Sequence, residues 1–148
     1  MKRALIVIST LAGVIGVVVA VLAPELRSLN VDTTRSAAAS LHDSLEKSEA
    51  VGELSGDWQV LSNAAYDSLL LVLTNAGASL DACPRCHTPD GKFGDAWGER
   101  FQILARRRDG RREYIIWSKG PDRVSGSDDD IVFPESQRQE VKTILQSE

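Results

Sequence analysis

The chain has 148 residues, 43% hydrophobic and 26% charged, a balance that excludes a disordered polyelectrolyte and leaves room for one small folded domain. Its 17 basic and 21 acidic residues give a formal net charge of −4; setting aside Lys2 and Arg3, which precede an apolar run, leaves 15 against 21, or −6. A domain this acidic lacks the basic face that nucleic-acid binding requires, and two cysteines, Cys83 and Cys86, are too few for a disulfide-built scaffold.

Met1-Lys2-Arg3 leads into an uncharged run from Ala4 to Ala23. About 20 helical residues rising ~1.5 Å each match a hydrocarbon core of about 30 Å. The basic pair before them favours a cytoplasmic N-terminus, with the rest exported. A cleavable signal peptide is the rival reading, since Val21-Leu22-Ala23 offers a small-x-small site. Its apolar stretch would normally be only about 7–15 residues, and Pro24 would follow the cut awkwardly. Residues 1–23 are therefore expected to form a transmembrane anchor.

From Pro24 to about Ala50 the sequence is helix-compatible, with Leu26, Leu29, Ala37, Ala38, Leu41 and Leu45 on one face. Pro24, which has no backbone donor, is expected to kink or interrupt this helix. Gly52 and Ser55-Gly56 break the pattern, so residues 24–56 read as a helical stalk and linker, and 57–148 as the exported domain. A second helix is expected from Asp57 to Asn75, using Trp58, Leu61, Ala65, Leu69 and Val72, with Gly77 as its stop. Ala78–Gly98, rich in Pro and Gly, reads as loop.

Two strands, Arg100–Arg106 and Arg112–Ser118, flank Asp109-Gly110, a dipeptide that favours a tight hairpin turn. Ile131–Phe133 is expected as a third strand and Ser136–Gln146 as a closing helix. The expected fold class is α+β: a long N-terminal helix, transmembrane at its start, packed on a small antiparallel sheet. Trp97 and Trp117 are expected to anchor the core.

Cys83-Pro84-Arg85-Cys86-His87 has the spacing of a c-type haem attachment site, with Cys83 and Cys86 as thioether donors and His87 as axial ligand. Met1 is the sole Met, which leaves His42 as the other imidazole or thioether. A membrane-anchored monohaem cytochrome is thus the alternative to a local Cys83–Cys86 disulfide in an oxidising compartment. Zinc would need further ligands around the same three residues. Arg106-Arg107-Arg108-Asp109-Gly110-Arg111-Arg112 is read as a solvated hairpin tip that discourages edge pairing, docking to an acidic partner or lipid headgroups being the other reading. His42, Asp43 and Ser44 do not share a helix face. No set of residues suggests catalysis, and the chain is not expected to be an enzyme.

Ser118–Ile131 is the most specific stretch. Four Asp fall within nine residues (Asp122, Asp128, Asp129 and Asp130) among Gly, Pro and Ser that permit sharp turns. Calcium takes about six to eight oxygens from carboxylates and from carbonyls turned inward by a curled loop. The spacing is not that of an EF-hand, and residue chemistry alone leaves calcium and a solvated acidic turn both open.

Ser118…Gly120-Pro121-Asp122…Gly126-Ser127…Asp129-Asp130-Ile131 resembles the C-terminal calcium loop of the type II secretion major pseudopilin family (general secretion pathway protein G). Asp95-Ala96-Trp97-Gly98-Glu99-Arg100-Phe101 resembles the family's motif leading into its first sheet strand, and Tyr114-Ile115-Ile116-Trp117-Ser118 its second strand. The resemblance implies a pilin-like fold with a structural calcium held by Asp128 and Asp130, with Lys119, Val124 and Ser125 as carbonyl donors. It also implies a single-pass inner-membrane protein with a periplasmic C-terminal domain, meeting the membrane and other pseudopilins or secretion-system proteins. Near the N-terminus the sequence departs from the family. It has no Gly cleavage site, and Val7 stands where counting back from Pro24 would place the family's Glu.

Overall fold

The computed structural model describes residues 2–48, 54–75, 83 and 85–146, the side chains of residues 2–21 excepted. It is α+β: helix α1 (Lys2–Lys47), strand β1 (Gln59–Val60), helix α2 (Asn63–Asn75), strands β2 (Gln102–Arg108), β3 (Arg111–Ser118) and β4 (Ile131–Phe133), then helix α3 (Arg138–Leu145) after one 3-10 turn at Glu135–Gln137. The chain divides into two compact units, Met1–Asn30 and Val31–Glu148.

In the second unit the strands form one antiparallel sheet in the order β1-β2-β3-β4. Period-2 alternation gives it two apolar faces. Ile103, Ala105, Tyr114 and Ile116 point to one face, where they meet Ala37, Ala38, Leu41 and Leu45 of α1 and Tyr66, Leu69, Leu70 and Leu73 of α2. Leu104, Ile115 and Trp117 point to the other, where Val132 of β4 and Val141 of α3 cover them. The α1 residues recur at helical spacing, and all four are buried.

Several expected elements are displaced, each for a local reason. Asp109 and Gly110 both take positive φ (51° and 78°), the geometry of a two-residue turn matched to strand twist. Pairing therefore runs to Arg108↔Arg111 at the tip rather than stopping at Arg106. The second helix starts at Asn63, not Asp57, because the Ser62 hydroxyl accepts the Ala65 amide at 3.2 Å and caps it. Gln59–Val60 instead extends the sheet along β2. Pro24 lies inside α1 without interrupting it. Trp117 is buried, but Trp97 is only half-buried. The Gly77 stop and the expected end of the first helix at Ala50 fall outside the described residues.

Over its whole length α1 is not an apolar helix, and among the described residues no helix is long and apolar enough to cross a membrane. Most of the run behind the anchor expectation, Ala4–Val21, belongs to the residues whose side chains lie outside the description.

Candidate metal centre

The Ser118–Ile131 loop leaves β3 and returns as β4, its neck closed by the pairing of Ser118 with Ile131. Gly120 has φ 66°, and a Cβ there would collide with the Asp129 carbonyl, so the two sides of the neck touch backbone to backbone and only glycine fits. Within the loop the Asp122 carboxylate accepts the Val124 amide at 3.0 Å, and the Ser127 hydroxyl accepts the Asp129 amide at 3.2 Å. These turns curl the chain around Asp130.

Asp130 is 3% exposed. Its Oδ2 accepts the Gly126 amide at 2.7 Å, while its Oδ1 is buried with no hydrogen-bond partner. Burial pushes this carboxyl above the ordinary carboxylate range; the Gly126 amide opposes the shift, and the nearby Asp122 carboxylate adds to it. Arg138 and the Ser127 hydroxyl also act against the shift, but the buried Oδ1 without a hydrogen-bond partner still has the chemistry of a cation ligand.

The other expected ligands are placed differently. Asp128 points outward, its side chain 97% exposed and paired with Lys142 Nζ at 2.7 Å, which holds its carboxyl below the usual range. The turn through Ser127–Asp129 thus sends Asp128 and Asp130 to different environments. Lys119 is half-buried, and Val124 and Ser125 are exposed. Among the described residues no three His, Cys, Asp or Glu side chains converge on one point, so any cation here would draw heavily on backbone carbonyls.

A neighbouring segment holds the loop neck. Asp95 is fully buried; its Oδ1 accepts the amides of Trp97 (2.9 Å) and Glu99 (2.8 Å), and its Oδ2 accepts the Ser118 hydroxyl at 2.5 Å. Ser118 Oγ in turn accepts the Gly120 amide at 3.0 Å. The Ala96 amide donates to Thr34 Oγ1 at 3.1 Å, which ties this turn to α1. Sequence reasoning gave Asp95 and Asp122 no role beyond their motifs. The available signals were Asp two residues before an amide donor in each case, the spacing of an Asx turn.

Cys83 and Cys86 form a disulfide, with Cys86 buried in the core. That bond occupies the two sulfurs that haem attachment would use. His87 pairs through its backbone with Phe93, and the His42 ring packs edge-on against Phe133 at 5.2 Å. Asp43 pairs with Lys47, and Ser44 donates back to the Ser40 carbonyl, so neither joins His42. No family model, curated protein or solved structure matches the chain.

Proposed function

We propose that this chain is a membrane-anchored, non-enzymatic assembly or interaction module of pseudopilin type, stabilised by a structural calcium ion in the Ser118–Ile131 loop. On this reading residues 1–23 anchor it in an inner membrane, the C-terminal domain is periplasmic, and it serves type II secretion. The observation that carries the reading is the buried, unpartnered Oδ1 of Asp130 in a loop whose neck is hydrogen-bonded to Asp95. The link joins two of the three stretches on which the family resemblance rests, and Tyr114–Ser118 runs straight into the same neck as part of β3.

Asp130 would be the inward carboxylate ligand, with Asp122 beside it and carbonyls of Lys119, Val124 and Ser125 available from the loop. Asp128 would join only by leaving Lys142. The ion would supply charge compensation and a fixed loop shape, a structural role. A ligand that binds only the folded state stabilises it by about 2.7 kcal/mol at a hundredfold excess over Kd. For a domain of this size that corresponds to roughly 5–10 °C in melting temperature. The full chain, melted in detergent in EDTA and in millimolar calcium, should show that shift, with magnesium giving less. Asp130→Ala should remove it, whereas Asp90→Ala, outside the loop, should not. Identical wild-type melts in both buffers would reduce the loop to a solvated acidic turn.

A further inference from the structure

The β2–β3 tip carries arginines directly opposite one another: Arg107 faces Arg112, and Arg108 faces Arg111. Successive pairs alternate faces, so each side of this ribbon presents one pair of guanidinium groups. Like charges in directly opposed positions destabilise a strand pair. Among the described residues, little offsets them: Arg108 lies 3.9 Å from the Asp109 carboxylate, and Arg112 donates to the Ser48 carbonyl at 3.3 Å and also interacts with the Tyr114 hydroxyl. Arg106 differs from these four. It is mostly buried, stacked 4.1 Å over Trp58 and paired with Glu113 and Glu140. Nor are the charges needed to keep the β2 edge from pairing at Arg107, because its amide already donates to the Ser55 carbonyl at 2.8 Å.

We infer that this tip is a docking site for a short acidic segment of a partner protein, each arginine pair gripping carboxylates with its planar forks. The charge of the remainder selects the class of partner. Without these four arginines and Asp109, 13 basic residues (17 less 4) stand against 20 acidic ones (21 less 1). An extended polyanion, whether nucleic acid or an anionic bilayer, would meet that acidic surface and be repelled; a short segment touches the tip alone. The site is separate from the calcium loop, which lies at the other end of β3, about 25 Å away for an eight-residue strand.

The test uses the full chain in neutral detergent and a fluorescein-labelled peptide of eight alternating Asp and Glu, followed by anisotropy at low and moderate salt. Wild type should bind, more weakly as salt rises. Arg107→Glu with Arg111→Glu turns both opposed pairs into attractive ones, so this variant should melt at or above the wild-type temperature and yet bind at least tenfold more weakly. A control of equal charge change elsewhere, Arg35→Glu with Arg85→Glu, should leave affinity within about twofold. Equal losses in the two variants would mean that only net charge is being read. Binding of soluble polyphosphate but not of the peptide would overturn the inference in favour of a phosphate-bearing partner.

Discussion

Burial holds the Asp130 carboxyl above the ordinary carboxylate range, and the sign of its contribution to stability follows. A group that binds its proton more tightly when folded favours folding at low pH and becomes a penalty as pH rises through the raised folded pKa. Near neutral pH, without a cation, Asp130 therefore works against the fold. Asp130→Asn keeps the shape and removes the charge. In EDTA at pH 7 it should raise the melting temperature by a few degrees, and the gain should fade as pH falls through the raised folded pKa into the ordinary carboxylate range. The calcium-dependent shift should vanish with it. A lower melting temperature for Asp130→Asn in EDTA at pH 7 would show that the carboxylate already has a compensating partner. Asp128 has the opposite sign: Lys142 holds its carboxyl low, so its small, solvent-screened contribution is lost only as pH falls through that lowered folded pKa. Asp95 is the other critical carboxylate. Asp95→Ala orphans two amides and the buried Ser118 hydroxyl, which should cost about 2–4 kcal/mol in denaturant melts. It should also weaken calcium binding, because the loop neck loses its support. An unchanged calcium affinity would mean that the neck holds its shape without Asp95.

At the scale of elements, what was legible in the sequence was set by local chemistry. The hairpin was readable because Asp-Gly specifies its turn, and β3 because Tyr114, Ile116 and the intervening Ile115 and Trp117 fill two apolar faces. The inward face of α1 was readable from helical spacing at Ala37, Ala38, Leu41 and Leu45, whereas Leu26 and Leu29, expected on the same face, are exposed. The start of α2 was misplaced because Trp58 and Leu61 fit a helical period, whereas both serve the sheet: Leu61 donates its amide to the Ile103 carbonyl at 2.9 Å. Trp58 is fixed by residues far along the chain, donating from Nε1 to Glu140 at 2.5 Å beneath the Arg106 guanidinium. No window of local sequence contains an interaction spanning 82 positions. The candidate site was legible as an acidic loop, but which carboxylates turn inward depends on turns at Asp122 and Ser127 that spacing alone does not determine. Trp58→Ala should cost about 1–3 kcal/mol, the lower end reflecting its partial exposure, and should also free Arg106. Trp58→Phe should recover the packing but not the Glu140 hydrogen bond. If both variants lose the same amount in urea melts, the hydrogen bond rather than ring packing is what matters. Reducing the Cys83–Cys86 bond should cost less than a typical disulfide, about 2 kcal/mol, because it closes a very short loop.

For the whole molecule the decisive question is where the Met1–Asn30 unit resides. Its described side chains include Leu22, Leu26 and Leu29, about half exposed at 46%, 51% and 53% and recurring at i, i+4 and i+7 on one helix face. A helix in water gains nothing by presenting such a stripe, whereas one that continues the uncharged run Ala4–Ala23 toward a bilayer interface has an apolar medium or partner to cover it. The length of that run suits a full span of about 30 Å. On the proposed reading, Lys2 and Arg3 in front of it would set an orientation that exports the acidic domain and its disulfide to an oxidising side. In cells producing the full chain, the protein should stay in the membrane pellet after alkaline carbonate extraction, and its intact mass should include the residues before Pro24. Externally added protease acting on spheroplasts should digest the C-terminal domain while sparing a small N-terminal fragment. Recovery of a soluble product beginning near Pro24 would turn residues 1–23 into a cleaved leader. It would also remove the anchor from the proposed function while leaving the calcium loop and the arginine tip to be judged by their own experiments.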